Sequence, residues 1–200
     1  IQHHLSLALR RLGVPDIEGE PEPAEGPEGE RSIVLLGFFR SASSILQEFE
    51  LRTHRGRRDP ILDRILVVDF NPHVVSELER RKIACIYGDI SHIDTLRHAH
   101  LENAKLIVST IPDAILRGTT NLKMLRNARA VCPGAQVIVT SDQMKHALEL
   151  YEAGADYVFI PRLHSAREMA RILTVGLESG FAGLRQASID ELRRRHEVLA

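Results

Sequence analysis

From residue 32 onward the chain alternates short runs rich in Val, Ile and Leu with amphipathic stretches, without a visible sequence repeat. The runs fall at 32–37, 64–69, 84–87, 105–110, 136–141 and 156–160. Strands so continuously apolar need burial on both faces, which a parallel sheet covered by helices provides and a half-wet antiparallel sheet does not. The stretches between them carry helix signals. In "NPHVVSELERRK", Asn71 stands at the capping position and Pro72 at the first helical one. "SASSILQEFEL" opens with serines as capping options, and Gly134 and Gly154 stand where the preceding helices should stop. The expected fold is therefore α/β: a Rossmann-like, doubly wound, parallel six-stranded sheet with helices on both faces. "SAREMARILTVGLESGFAGL" and "SIDELRRRHEVL" add two C-terminal helices beyond the sixth strand.

The first run ends in "IVLLGFFRSASS", where a dinucleotide-binding chain of this topology carries its glycine fingerprint. Gly37 keeps the first glycine, while Phe39 and Ala42 replace the second and third. The second run ends in "ILVVDFNP", which places Asp69 where a carboxylate accepts hydrogen bonds from both ribose hydroxyls of an adenosine and disfavours a 2′-phosphate. The alternative for Asp69 is a plain cap before the next helix. The spacing from Ala42 to Asp69 exceeds the usual ~20 residues of the fingerprint, and the excess lies in "RTHRGRRDPILDR", expected to be an extended surface loop. Its basic residues Arg52, Arg55, Arg57 and Arg58 form a solvated face or touch a partner or lipid headgroups.

Composition narrows the rest. A formal net charge of −1 and 4% aromatic residues provide neither the field nor the stacking surface for nucleic acid. Cys85 and Cys132 are isolated, without the spacing of a disulfide framework or a zinc site. No apolar stretch reaches the roughly 18 residues of a membrane span, so a cytosolic location is expected. The opening "IQHHLSLALRRLGV" enters with helical spacing at Leu5, Leu9 and Leu12, like a cut from something longer. From 13 to 30 the chain is Pro, Gly and acid without Lys or Arg, the composition of a flexible linker. His3 and His4 face different ways on their expected helix, His98 and His100 lie on different faces of theirs, and with His92 all read as incidental surface or core-edge histidines.

Together the segments "IVLLGFFRSAS…ILVVDFNP…ACIYGDISHIDTLRHAHLENAKLIVSTIPD…TTNLKML" resemble the TrkA-N or RCK nucleotide-binding domain, in particular the cytosolic tail of Kef-type monovalent cation:proton antiporters. The resemblance runs from about residue 32 to 162 and rests on the order and spacing of Asp69, the "YGD" with Gly88 and Asp89, "LENAKLIV", and the segment from Asp113 to Asn121. It implies an adenine nucleotide across the carboxyl ends of the first three strands. Gly37 and Arg40 match the first glycine and the arginine of the family's G-x-G-R-x-G pattern, Asp69 its ribose acid, Asp89 and Ile90 the pair beside adenine, and Thr110 and Ile111 the strand end near the nucleotide. A surface salt bridge is the alternative for Arg40. The resemblance also implies three regions: a juxtamembrane helix and acidic linker over 1–30, the Rossmann-like domain over 31–162, and peripheral helices over 163–200. The partners implied are a transmembrane antiporter domain and a second copy of the chain, at the cytoplasmic face of an inner (plasma) membrane.

The departures shape the ligand. The second glycine lets backbone approach a pyrophosphate closely, and Phe39 puts a benzyl group there, which disfavours NAD(H). Ala42 adds only a methyl at the helix–strand contact. A helix N-terminus with Arg40 and the hydroxyls of Ser41, Ser43 and Ser44 suits a single phosphate. AMP or another adenine mononucleotide is therefore expected, with an empty site as the other outcome. Regulation rather than catalysis follows, by ligand-biased packing of a dimer. Two alternatives stand: a ligand-free dimerisation module, and an NAD-dependent oxidoreductase, against which no Tyr stands four residues before any Lys and no substrate domain is present. For assembly, Met169, Ile172, Leu173 and Leu177 recur at helical spacing, with Val175 and Phe181 adding apolar surface outside that stripe.

Overall fold

The computed structural model describes residues 31–54, 56–99 and 101–199. The expected helix and linker over 1–30, His3 and His4, Arg55 and His100 lie outside these residues. Six strands form one parallel sheet: β1 (Ile33–Leu36), β4 (Ile65–Asp69), β5 (Ala84–Tyr87), β6 (Leu106–Val108), β7 (Gln136–Thr140) and β8 (Tyr157–Phe159). Their order is β5-β4-β1-β6-β7-β8. The chain therefore builds outward from β1 through β4 to β5, then returns to the other side of β1 and builds outward again. That reversal opens a crevice between the carboxyl ends of β1 and β6, the place where open α/β sheets bind ligands.

Five helices cover the sheet, α1 (Arg40–Leu51), α2 (Pro72–Arg80), α3 (Ile93–His98), α4 (Asn121–Val131) and α5 (Met144–Glu152). Strand alternation sorts the interior into two clusters. Leu35, Ile65 and Val67 face α1 and α2, where Leu46, Val74 and Leu78 are fully buried. Leu36, Val68 and Ile107 face α3, α4 and α5, against Leu96, Leu125 and Leu150. Asn71 caps α2 as its position implies, its side-chain oxygen accepting from the His73 N–H at 3.0 Å.

Three expectations need correction. Helix α1 starts at Arg40 with Phe39 as its cap residue and no side-chain capping bond, so the serines lie inside the helix instead of in front of it. The segment from 52 to 64 is not an extended loop: it makes a two-residue ribbon of β2 (Thr53–His54) and β3 (Arg57–Arg58), then a 3-10 turn over Pro60–Arg64. Asp59 caps that turn by accepting from the Ile61 N–H at 3.0 Å, and Leu62 is 1% exposed beneath it. At the other end, Gly180 adopts φ 80° and breaks the expected first helix, giving α6 (Pro161–Ser179) and α7 (Ala182–Arg194). Only Gly176 of α6 is buried, and no residue of α7 is. Among the described residues no helix is long and apolar enough to cross a membrane.

Candidate functional site

The site grows from the turn after β1. Gly37 has φ 75° and its N–H donates to the Val68 carbonyl at 2.8 Å, drawing the turn against β4. A Cβ at this position would stand 2.3 Å from Ile111 Cδ1 and 3.0 Å from Ile90 Cδ1. Three of the residues expected at the site, Gly37, Ile90 and Ile111, thus meet at the head of the crevice, where only glycine fits both the backbone and the space. The next two residues diverge. Phe38 is 3% exposed in the cluster under α1, whereas the partly buried Phe39 ring packs on the opposite cluster, the one containing Ile90 and Ile111.

Asp69 ends β4 at 6% exposure. Its Oδ2 accepts from the Phe38 N–H at 2.6 Å and its Oδ1 from the Asn71 N–H at 2.7 Å. Burial pushes its pKa above the ordinary carboxylate value, against the opposing effect of the backbone N–H groups. The carboxylate therefore stitches the "GFFRS" turn to the end of β4, and each oxygen retains further acceptor capacity. The Asp69 carbonyl accepts from the Gly88 N–H at 3.0 Å, which places Gly88 and Asp89 on the neighbouring strand end. Asp89 is exposed; its Oδ1 accepts from the Ser91 N–H at 2.8 Å, and that bond holds its pKa below the usual range.

At the start of α1, the N–H groups of Arg40, Ser41 and Ala42 have no intrahelical acceptor, as at any helix start. Arg40 is exposed, stands 5.8 Å from the Phe39 ring centre and forms no ion pair among the described residues, so the salt-bridge alternative is not realised there. Ser41 is half-buried beside it. Ser43 and Ser44 do not serve the turn: Ser43 Oγ accepts from the Leu199 N–H at 2.9 Å, and Ser44 Oγ donates to Glu197 at 2.9 Å.

The far wall comes from the end of β6. Thr110 is 4% exposed and among the described residues its hydroxyl has no hydrogen-bond partner, and the same holds for Thr119 at 9% exposure. Buried polar groups without partners are few in folded proteins and call for a reason. Thr119 escaped the sequence reading; its only signal was the "TTN" start of α4, where Thr120 accepts from the Lys123 N–H at 3.2 Å as the cap. The segment from Asp113 to Asn121 proves to be a clamp. Asn121 is fully buried, donates to the Ile111 carbonyl at 2.9 Å and to Asp113 at 2.8 Å, and accepts from Ser109 Oγ at 2.8 Å. His146 Nδ1 lies 3.3 Å from the other Asp113 oxygen. Among the described residues no group of His, Cys, Asp or Glu side chains is arranged to hold a metal ion.

Acceptors at two strand ends, an unused hydroxyl at a third, and a cation beside free N–H groups suit a ligand with sugar-like hydroxyls and one anionic group.

Comparison with known proteins agrees with this topology. The family model of the TrkA-N domain matches residues 33–161. The chain is 24% identical over 198 residues to the glutathione-regulated potassium-efflux system protein KefC of Enterobacter sp. (strain 638), covering 95% of this chain and 28% of that protein. It therefore spans well under half the length of that relative. Among solved structures, the TrkA-N domain of the inner membrane protein ybaL from Escherichia coli superposes with a TM-score of 0.59 at 23% identity, over 72% of this chain and 96% of that one. The GsuK channel bound to NAD gives 0.52 at 20% identity, over 78% and 26%, and a structure of GsuK bound to ADP is similarly close in fold.

Proposed function

The chain belongs to the TrkA-N domain family, and from that premise we propose that it is the cytosolic nucleotide-sensing regulatory domain of a potassium or sodium/proton antiporter. It is a binding domain and not an enzyme. In this reading Asp69 takes the ribose hydroxyls, Gly88, Asp89 and Ile90 flank the adenine, and Arg40 with Ser41 and the first-turn N–H groups takes one phosphate. Gly37 gives the close approach, and Thr110 and Ile111 line the wall beyond. The observation that carries it is the buried Asp69 carboxylate at the mouth of the turn, with the unpaired Thr110 hydroxyl two strands away. Burying a carboxylate is costly, and a ligand that donates to it offsets the cost.

AMP or another adenine mononucleotide is the favoured ligand. GsuK is seen with NAD and with ADP, but here Phe39 takes the sequence position of the fingerprint's second glycine, whose lack of a side chain lets backbone approach a pyrophosphate. Binding gates transport through the packing of a homodimer, whose surface is the exposed apolar side of α6 and α7, with Leu173 51%, Leu177 85% and Phe181 52% exposed. Such a ligand shifts the transporter's equilibrium only by its differential affinity for two packings, commonly about 1–3 kcal/mol. The membrane domain that it controls is a proposed partner, joined through the acidic segment over 13–30.

Titration calorimetry with AMP, ADP, NAD and NADH tests the reading: AMP should bind, and NAD more weakly. Phe39→Gly should then raise NAD affinity while leaving AMP affinity nearly unchanged. A second reading has its own observation. The Phe38 and Asn71 N–H groups already give each Asp69 oxygen a partner, as a ligand-free dimerisation module would require. A folded protein that binds none of the four nucleotides selects that module.

A further inference from the structure

Residues 195–199 turn back along α1 and fasten to it. Arg195 pairs with Glu48 at 2.7 Å and with Glu197 at 2.8 Å. The His196 N–H donates to Gln47 Oε1 at 2.8 Å, and the His196 carbonyl accepts from Arg81 at 2.7 Å. The Leu199 N–H donates to Ser43 Oγ, and Ser44 donates to Glu197, both at 2.9 Å. Val198 is 9% exposed in the cluster that also holds Phe38, Ala42 and Leu46, and Leu199 packs against the same cluster.

Of these contacts, those to Ser43 and Ser44 reach the start of α1, beside the candidate phosphate end. Ser43 is the first helical residue whose N–H bonds back to Phe39, so the Leu199 contact sits one residue beyond the free N–H groups of the first turn. Phe38 is gripped from both sides, by Asp69 on its N–H and by the Val198 cluster on its side chain. The polar atoms of Ser43 and Gln47, at 1% and 5% exposure, receive donors from the tail. Freeing the tail leaves those atoms to find other partners in a buried setting, which favours a shift of the helix start.

We propose that residues 195–199 are a positioning element for the candidate phosphate turn: they hold Phe38 and the first turn of α1 in binding geometry and so link the site to α7, which they follow in the chain. The proposal rests on the nucleotide reading above. A tail that merely adds stability would affect all ligands alike, so the discriminating measurement compares AMP with adenosine, which lacks the phosphate. Calorimetry is done on the full chain as wild type, Arg195→Ala and Val198→Asp, with circular dichroism to confirm folding. In each variant AMP affinity should fall about tenfold while adenosine affinity stays within about twofold, and Arg195→Lys should restore part of the AMP loss. Equal losses for AMP and adenosine, or no loss of either, overturn the proposal. If Val198→Asp does not fold, Arg195→Ala, which removes ion pairs to Glu48, Glu191 and Glu197 and leaves the apolar cluster intact, decides alone. Wild-type protein that binds neither AMP nor adenosine removes the nucleotide reading and this inference with it, a result distinct from intact wild-type binding with unresponsive variants.

Discussion

Helices α1 and α6 both follow strands of the same sheet, and both look amphipathic in the sequence. Helix α1 buries Ala42, Ser43, Leu46 and Gln47 out of twelve residues; α6 buries Gly176 alone out of nineteen. On α1 the buried polar atoms are met by the tail and the apolar ones by Phe38, Leu62 and Val74. On α6 the stripe of Met169, Leu173 and Leu177 is 56%, 51% and 85% exposed. The difference teaches that equal periodicity does not mean equal burial: a helix gains most of its stability from the surface it packs on, and α6 finds little of that surface among the described residues.

The largest expected effect tests that contrast directly. Leu46→Ala should lower unfolding free energy by about 2–5 kcal/mol, whereas Leu177→Ala measured below the concentration of any assembly should stay within about 0.5 kcal/mol. Urea unfolding of both variants checks the pair, and similar losses would erase the distinction. At high micromolar concentration Leu177 should come to matter: by light scattering the wild type should run as a dimer and Leu177→Asp as a monomer.

Next is Asp69→Asn. The new amide presents N–H to one of two backbone donors, so the variant should lose roughly 1–3 kcal/mol of stability as well as affinity for adenosine. The sign of its pH dependence is fixed by the raised pKa of Asp69. A raised carboxyl favours the folded state fully below its unfolded pKa, and that contribution is lost as pH rises through the folded one. The stability cost of Asp69→Asn should accordingly shrink between pH 4 and neutrality, as read from urea midpoints.

Arg40→Gln should be milder and cleaner. With no ion pair to break among the described residues, its stability should remain within about 0.5 kcal/mol, while AMP affinity should drop about tenfold and adenosine affinity should hold. The smallest effect is spectroscopic: in a carboxyl-carbon NMR titration Asp69 should titrate above the ordinary aspartate range and Asp89 below it, because burial dominates the first and the Ser91 N–H the second.

The six strands were legible because β-branched runs buried on both faces have few other fates. The strand bounds agree with the runs to within two residues at each end, and the cap at Asn71–Pro72 followed from local chemistry alone. The start of α1 was not legible. Serines imply a side-chain cap, but here Phe38 and Phe39 pack on opposite clusters and carry the helix start to Arg40, a tertiary effect that overrides a local preference. The 3-10 turn at Pro60 was visible in principle, since Asp59 followed by Pro60 is a cap signature, yet the charged residues around it masked the burial of Leu62. The tail was invisible because "RRRHEVL" continues a helical pattern until contacts with Glu48, Gln47 and Ser43 draw it out. Of the candidate site, the strand-end residues were readable by position. The unpaired Thr119 hydroxyl, the clamp role of Asn121 and the diversion of Ser43 and Ser44 depend on long-range packing.

Consecutive phenylalanines that point into different clusters imply different tolerance to variation. In a saturation library scored for soluble abundance, position 38 should accept little besides large apolar residues, since its side chain lies in a closed core at 3% exposure. Position 39, only partly enclosed, should accept most residues in that screen and become selective only when the library is scored for ligand retention. Two neighbouring codons would then carry separate records, one of folding and the other of what the domain binds.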